Sequence, residues 1–228
     1  SSELISPVFE AVETFSHREH EIFNLKELAA KLEFLDNTVV IEGQVGAGKS
    51  IAAKMLVQER LQHFAEMSLD HSVEDYWLPI YVTGKMIDDD WNTLSSLIEQ
   101  AMMETDHNNW RVIVDGFDEI RDHAKRARLI DFSESLLKSE TARLGFLIFS
   151  RPNAISIDAK AKIPNRYVIT AADQQRALGI IKVHANEEHD AESILGALQN
   201  VLDIELLTRP LFIAIATYVI THELGSPN

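Results

Sequence analysis

The sequence predicts an α/β protein with a central, mostly parallel five-stranded sheet, flanked by helices and followed by a small helical segment. Short apolar runs alternate with longer stretches whose apolar residues recur at helical spacing, which is typical of parallel sheets covered on both faces. After about residue 171 only helical patterns remain.

Five segments account for the predicted sheet, each rich in β-branched or aromatic residues and bounded by polar or turn-forming residues. These strands are Thr38 to Ile41, Leu78 to Thr83, Val112 to Asp115, Phe146 to Phe149 and Arg166 to Ile169. Core-facing helices are predicted between them, where apolar residues lie three or four positions apart. The clearest helical stripes are Leu94, Leu97, Ile98 and Ala101, and Leu129, Phe132, Leu136 and Leu137.

We divide the 228 residues into three parts. Residues 1–36 are predicted to form an N-terminal helical segment, residues 37–170 the α/β core, and residues 171–228 a helical lid. A chain of this length can bury the core that such a division requires. The helices predicted for the lid are Gln174 to Ala185, Ala191 to Val201 and Pro210 to His222.

A glycine-rich segment follows the first core strand and fits the pattern G-x-x-x-x-G-K-S/T, the phosphate-binding P-loop. Its glycines permit a tight turn that aims backbone N–H groups inward, and the helix after it directs its positive end to the same place. Lys49 can then reach the β- and γ-phosphates of a nucleotide, and Ser50 can hold Mg²⁺. The predicted phosphate-binding residues are Gly43, Gln44, Val45, Gly46, Ala47, Gly48, Lys49, Ser50 and Ile51.

A carboxylate ends the apolar strand that runs from Arg111, and this residue, Asp115, is the candidate Walker B acid. An aspartate after a buried strand is by itself more often a turn or helix-cap residue. Its pairing with a P-loop favours the metal role, and we predict that Ser50 and Asp115 together bind Mg²⁺. The overall pattern therefore predicts a P-loop NTPase.

The residues after Asp115 are Gly116, Phe117, Asp118 and Glu119. This string resembles the extended Walker B motif of the NACHT family, within the STAND class of signal-transduction NTPases. A third element agrees with that resemblance: the apolar run from Leu144 to Phe149 ends in Ser150-Arg151-Pro152, which looks like the family's sensor-1 arginine motif. A cation there can sense the γ-phosphate.

Two further segments extend the resemblance over roughly residues 15 to 222. Thr208-Arg209-Pro210-Leu211 looks like the family's proline motif near the adenine, so Pro210 is a candidate nucleotide contact. Phe15-Ser16-His17-Arg18-Glu19 resembles the segment that precedes the P-loop in STAND proteins, with His17 where glycine is usual. A proline at the first turn of a helix is also common for conformational reasons alone.

The resemblance implies a topology and a mechanism. The P-loop strand would be central, with the sensor strand between it and the Walker B strand, so that Lys49, Asp115 and Arg151 converge. Water would attack the γ-phosphate with Mg²⁺ assistance, and either Asp118 or Glu119 would orient that water. We favour Asp118 slightly, and Glu119 remains open. Arg151 would couple the γ-phosphate to the lid.

The resemblance also implies a slow, regulatory ATPase. ADP would hold a closed form and ATP would favour an open form that self-associates through the NTPase domain. A winged-helix domain would follow the lid, and the trigger and effector would be encoded elsewhere. By family analogy the role would be in immunity or stress defence, including antiviral defence. The GTPase pattern Asn-Lys-x-Asp is missing from the sequence, which favours ATP over GTP.

Composition limits the partners. The 21 Lys and Arg and 36 Asp and Glu side chains give a formal net charge of −15, which disfavours direct binding to nucleic acid. The chain has no cysteine, which excludes disulfides and thiolate chemistry. Its start lacks the basic and apolar regions of a secretory signal, and its longest apolar run, from Leu211 to about Ile220, is too short to span a bilayer. We expect no membrane partner and a cytoplasmic location.

Alternative functions remain open from the sequence. A small-molecule P-loop kinase would use the same loop and metal carboxylate, and would show rapid ADP formation that depends on an acceptor. A scaffold could bind nucleotide without significant hydrolysis, although the complete set of acids at Asp115, Asp118 and Glu119 argues against it. A basic cluster also follows these acids, and we interpret it as a solvated helix face. Its members are Arg121, Lys125, Arg126 and Arg128.

Overall fold

The computed structural model describes residues 7–11, 22–33, 38–67, 76–104, 109–136, 143–163, 165–185 and 190–222. The chain separates into two compact units. The sheet unit consists of Val8–Gly43 and Lys49–Ile169, and the helical unit consists of Ser1–Pro7, Gln44–Gly48 and Thr170–Asn228. The division after Ile169 lies one residue before the start of the predicted lid, but the glycine-rich loop groups with the helical unit.

The described residues of the sheet unit form a seven-stranded sheet in the order β2-β1-β7-β3-β6-β5-β4. Five strands, from β7 to β4 in that order, run parallel, and β1 pairs antiparallel with both β2 and β7. The strands are β1 (Phe9–Ala11), β2 (Ile22–Phe23), β3 (Val39–Glu42), β4 (Leu78–Thr83), β5 (Asn109–Asp115), β6 (Arg143–Ser150) and β7 (Asn165–Ile169).

The register of the parallel strands aligns their carboxyl ends. Glu42 of β3 pairs with Ser150 of β6, and Thr83 of β4 pairs with Asp115 of β5. β3 lies in the middle of the sheet and β6 lies between β3 and β5, which is the order we expected for these three strands. Residues that follow β3, β5 and β6 are therefore brought to one edge of the sheet.

The sheet is larger than the five strands predicted, because two short strands precede them. With three and two residues, β1 and β2 are too short to show alternation in the sequence, and they form by pairing beside β7. They also lie within residues 1–36, where we expected helix. The described helix of that segment is α1 (Leu25–Glu33).

Helices and strands of the sheet unit share an apolar core. All residues of β3 and β5 are buried, whereas β4 alternates between buried and half-buried positions. The predicted stripes pack here: Leu94, Ile98 and Leu129 are buried, and their neighbours on the same stripes are partly buried, while Leu137 lies outside the described residues. The remaining helices of this unit are α2 (Lys49–Met67), α3 (Gly84–Asp89), α4 (Asn92–Glu104), α5 (His123–Leu136) and α6 (Ile157–Lys162).

The helical unit has its own core, in which Ile181, Ile194, Leu198 and Ile213 are buried. The side chain of an aspartate caps the N-terminus of each of its first two helices by accepting from a backbone N–H of the first turn. In addition to the three predicted helices there is a single helical turn. The helices are α7 (Gln174–His184), α8 (Ala191–Val201), α9 (Ile204–Leu207) and α10 (Pro210–His222).

Among the helices that the structure describes, none has both the length and the apolar character that crossing a membrane requires.

Candidate functional site

The glycine-rich loop adopts a conformation that its glycines permit. Gly46 and Gly48 have φ angles of +79° and +95°, in the left-handed region that residues with a Cβ atom rarely adopt. The N–H of Ala47 donates to the carbonyl of Gln44 (3.1 Å) and closes the turn. α2 begins at Lys49, directly after the loop, so the first N–H groups of the helix lack helical acceptors. The N–H groups at the start of a helix, together with the positive end of its dipole, suit an anion.

Within the helical unit, α10 packs against this loop. The N–H of Leu211 donates to the carbonyl of Gly46 at 3.3 Å. A Cβ atom at Gly46 would lie 3.3 Å from Cε2 of Phe212, a close contact that a small shift of the ring would relieve, so the positive φ is the main reason for glycine at this position. Pro210, the candidate nucleotide contact, is the half-buried first residue of α10 and directly precedes the residue that bonds to the loop.

The Lys49 ammonium lies among the other predicted charges. Its Nζ donates to the carbonyl of Gly43 at 2.6 Å, next to the end of β3. Burial lowers the Lys49 pKa, and the carboxylates of Asp118 and Asp115 oppose that shift, whereas Arg151 adds to it. Lys49 is therefore a half-buried cation near two acids and a second cation. Its ammonium could donate a charge-assisted hydrogen bond to a phosphate oxygen.

Ser50 and Asp115, the two residues predicted to bind Mg²⁺, are in direct contact. The Ser50 hydroxyl donates to Oδ1 of Asp115 at 3.0 Å. The Asp115 side chain is 6% exposed, and its second oxygen, Oδ2, accepts a 2.8 Å bond from the hydroxyl of Tyr81. Sequence reasoning missed Tyr81, because nothing local marks a tyrosine on β4 as the partner of an acid on β5.

The two acids after Asp115 differ in environment. Gly116 has φ +75° and begins a 3-10 turn over Phe117–Glu119. The Asp118 side chain is 12% exposed, and its Oδ2 lies 2.8 Å from Nε of Arg151. Its Oδ1 is buried and has no hydrogen-bond partner in the part of the chain that the structure describes. Glu119 is exposed. The geometry therefore brings Asp118, and not Glu119, together with Arg151 and Lys49.

The basic cluster is a solvated face only in part: Arg121 and Arg128 are exposed, whereas Lys125 and Arg126 are half-buried, and for these two the interpretation was wrong. Arg126 donates from Nε to the carbonyl of Ile120 (2.5 Å) and from Nη2 to that of Asp118 (2.9 Å). Lys125 donates to the carbonyl of Asp88. Arg126 therefore fastens the turn that carries Asp118, because partly buried carbonyls in an irregular turn need donors.

The last member of the cluster, Arg128, packs its guanidinium over the Trp91 ring at 4.2 Å from the ring centroid. Arg121 is exposed, and its backbone N–H donates to Oδ1 of Asp88 at 3.1 Å. The cluster therefore contributes contacts within the protein at most of its positions, which composition alone does not indicate.

A buried ionic cluster lies at the end of β3. Glu42 is 3% exposed and pairs with Lys160 at 2.5 Å and with Arg166 at 3.0 Å. Lys160 also donates to the carbonyl of Pro152. The residue before the glycine-rich loop is thus tied to α6, to β7 and to the segment after Arg151. No local pattern in the sequence indicates this cluster, because its members are far apart along the chain.

The residues present fit a magnesium nucleotide in their chemistry. A hydroxyl and a carboxylate in contact are the hard oxygen donors that Mg²⁺ prefers, and Lys49 supplies a compact charge for phosphate. Among the residues described, no three His, Asp or Glu side chains are grouped to hold one metal ion. A bound Mg²⁺ would therefore draw further oxygen ligands from phosphate and water.

Two further residues predicted to bind phosphate, and one predicted segment, complete the comparison with the sequence. Val45 and Ile51 are 42% and 59% exposed, so their side chains belong largely to the surface. The segment from Phe15 to Glu19 lies outside the described residues.

The chain was also compared with known proteins. No family model matches it, and no curated protein sequence matches it significantly.

Proposed function

We propose that this chain is the P-loop NTPase module of a NACHT-type STAND protein, which binds Mg-ATP and hydrolyses it slowly. The observation that carries the proposal is the 3.0 Å bond between Ser50 and Asp115, which are 65 residues apart. A chance match to the loop pattern would not be expected to place its hydroxyl on the carboxylate that a second motif singles out. The parallel sheet, with β6 between β3 and β5, supports the same fold.

In this proposal each residue has one task in binding. The loop N–H groups and Lys49 bind the β- and γ-phosphates, and Ser50 with Asp115 holds Mg²⁺ directly or through water. Bound Mg²⁺ would neutralise the charge that develops on the phosphate oxygens. Lys49 must exchange its bond to the Gly43 carbonyl for a phosphate oxygen, which is a charge-assisted and therefore stronger partner.

Asp118 is the residue we propose to orient the attacking water. Its Oδ1 has no partner among the described residues, so it has an acceptor available for that water, whereas Oδ2 is held by Arg151. An exposed carboxylate such as Glu119 is less well fixed for this task. Arg151 is 57% exposed in its side chain and can turn to a γ-phosphate oxygen.

The proposed output is a nucleotide-dependent switch. The contact between α10 and Gly46 supports it, because a change in the loop would also displace the helix that carries Pro210. Moving such an equilibrium from 1:99 to 99:1 requires roughly 5.5 kcal/mol of preference for one state. Self-association, a cytoplasmic location and a role in immunity or stress defence belong to the proposal through the family resemblance alone.

Thermal unfolding tests this function directly. We compare the parent protein with Lys49→Ala, alone and with Mg²⁺ plus ATP, ADP or GTP. Nucleotide at 100 times its dissociation constant should stabilise the parent by about 2.7 kcal/mol, or roughly 5 to 10 °C, and should not stabilise Lys49→Ala. Lys54→Ala is the matched control, since Lys54 is an exposed lysine on the same helix.

Two results of the thermal unfolding experiment would contradict the proposal. If the parent shows no shift, the protein is denatured and the supernatant is analysed for released ADP. Absence of both a shift and released nucleotide would overturn the proposed function. A shift that survives in Lys49→Ala would overturn the role given to the loop.

A further inference from the structure

Both oxygens of the Asp115 carboxylate have a fixed donor. Oδ1 accepts from Ser50 at 3.0 Å, and Oδ2 accepts from the Tyr81 hydroxyl at 2.8 Å. Ser50 is the first residue after the motif lysine, and Tyr81 lies on β4, so the two donors come from different elements. The proposed function uses Ser50 and Asp115 but assigns nothing to Tyr81.

The pairing of β4 with β5 places this tyrosine. Tyr81 pairs with Ile113 in the parallel register, and Asp115 lies two residues further along β5 on the same face of the sheet. Diagonal neighbours of this kind are within reach of a long aromatic side chain. The alternate residues of β4, Ile80 and Val82, are buried in the core of the other face. Tyr81 is therefore directed toward the edge where Asp115 ends its strand.

The Tyr81 hydroxyl is the donor in this contact, because an ionised carboxylate can only accept a hydrogen bond. A neutral phenol that donates to Oδ2 restricts rotation of the carboxylate and leaves Oδ1 directed at Ser50. Oδ1 is then the oxygen nearest to any cation that the Ser50 hydroxyl binds.

We propose that Tyr81 is a positioning residue that holds the Asp115 carboxylate in the orientation required for Mg²⁺. This inference rests on the proposed function, since it concerns the metal side of the same site. The simpler role is structural, in which Tyr81 only satisfies a buried oxygen. The two roles differ in one measurable way: a positioning role affects the response to Mg²⁺, whereas a structural role affects folding alone.

The test compares Tyr81→Phe with a matched variant, Tyr76→Phe. Tyr76 is 4% exposed and its hydroxyl donates to the carbonyl of Arg60 at 2.8 Å, so the control also removes one buried hydroxyl in the sheet unit. ATP binding is measured by calorimetry across a Mg²⁺ titration and again in EDTA. Loss of an outer partner of a metal ligand typically lowers metal affinity by about 10- to 100-fold.

We expect Tyr81→Phe to require about 10-fold or more Mg²⁺ for half-maximal ATP binding, with its affinity in EDTA within about twofold of the parent. Tyr76→Phe should match the parent in both conditions. In an Asp115→Asn background, Tyr81→Phe should add nothing to the loss of Mg²⁺ response, because the orientation it fixes no longer matters.

Three results would overturn the inference. The first is a parental Mg²⁺ requirement in folded Tyr81→Phe, and the second is an equal loss of affinity with Mg²⁺ and in EDTA. The third is a parent that binds ATP in neither condition, which overturns the proposed function as well. Circular dichroism tests whether Tyr81→Phe is folded. If it is unfolded, Tyr81→His, which keeps a ring N–H on a shorter side chain, replaces it and is judged by its Mg²⁺ requirement and its affinity in EDTA.

Discussion

The turn that follows β3 and the turn that follows β5 are stabilised in different ways. The turn over Gln44–Gly48 is shaped by glycines with positive φ and by backbone hydrogen bonds, including the one from Leu211. The turn after Asp115 also has a glycine with positive φ, Gly116, and backbone hydrogen bonds, but side chains hold it in addition. Arg126 donates to the carbonyl of Asp118, and the Asp88 carboxylate accepts from the backbone N–H of Arg121. A turn formed by backbone groups can present its N–H groups to a ligand, whereas a turn fastened by side chains fixes the side chains it carries. We infer that the first turn serves binding and the second serves catalysis.

The largest effect should come from the acid at the centre of the second turn. Asp118→Asn removes the carboxylate proposed to orient water, and we expect hydrolysis to fall on the order of 10²- to 10⁴-fold. ATP affinity should remain within about twofold, because the binding groups belong to the other turn. Turnover of ATP and calorimetric affinity are measured on the same preparation.

Glu119→Gln is the companion variant, since Glu119 is the exposed neighbour of Asp118. It should retain most of the parental rate. A larger loss in Glu119→Gln than in Asp118→Asn would reverse the assignment, and parental rates in both would remove catalysis from this turn.

The second-largest effect should come from Gly84, whose backbone lies close to the carbonyl of Gly116 in the turn after Asp115. A Cβ atom at Gly84 would lie 2.0 Å from the carbonyl oxygen of Gly116, so Gly84→Ala must displace backbone. We expect a loss of roughly 3 kcal/mol in the free energy of unfolding, measured by urea denaturation. Gly196→Ala is the control, because a Cβ atom there has no neighbour within 4 Å. It should be neutral or stabilising by up to about 1 kcal/mol, since alanine favours helix.

One result of the urea denaturation would contradict this prediction. If Gly84→Ala and Gly196→Ala unfold at the same urea concentration, the backbone approach does not constrain the turn, and the contrast between the two turns loses its structural basis.

The smallest effect is expected from the cation that fastens the second turn. Arg126→Met keeps much of the side-chain volume but removes the donors to Ile120 and Asp118. We expect hydrolysis to fall by about 10-fold through looser positioning of Asp118, with stability lowered by about 1 to 2 kcal/mol. ATP affinity should not change. Arg121→Met is the matched control at an exposed arginine of the same cluster. An equal rate in both variants would contradict a positioning role for Arg126.

The parts of this site that could be predicted are those encoded locally. The glycine-rich loop, Asp115 and Arg151 each follow a buried strand within a short pattern, and the parallel sheet brings such positions to one edge. The same logic predicted the five parallel strands, because their apolar runs are long enough to recognise. It failed for β1 and β2, which are short and depend on pairing with β7.

The parts that could not be predicted depend on packing between distant elements. Tyr81 reaches Asp115 only because two strands pair in one particular register. Arg126 belongs to a cluster whose composition equally suits a solvated helix face, and the direction of each side chain depends on how α5 packs. Asp118 and Glu119 are adjacent in sequence, yet only the structure distinguishes a buried acid from an exposed one.

The ionic cluster at Glu42 has a consequence for how this protein can vary. Its carboxylate is almost fully buried between Lys160 and Arg166. Replacing Glu42 leaves two partly buried cations without their acid, at a typical penalty of about 3 to 5 kcal/mol, whereas replacing one cation leaves a Glu42 that is still paired with the other. Replacing the whole set with apolar residues of similar volume is far less damaging in comparable cases. In divergent sequences of this fold, Glu42 should therefore be lost only where both cations are lost with it, even though no two of the three positions are adjacent in the chain.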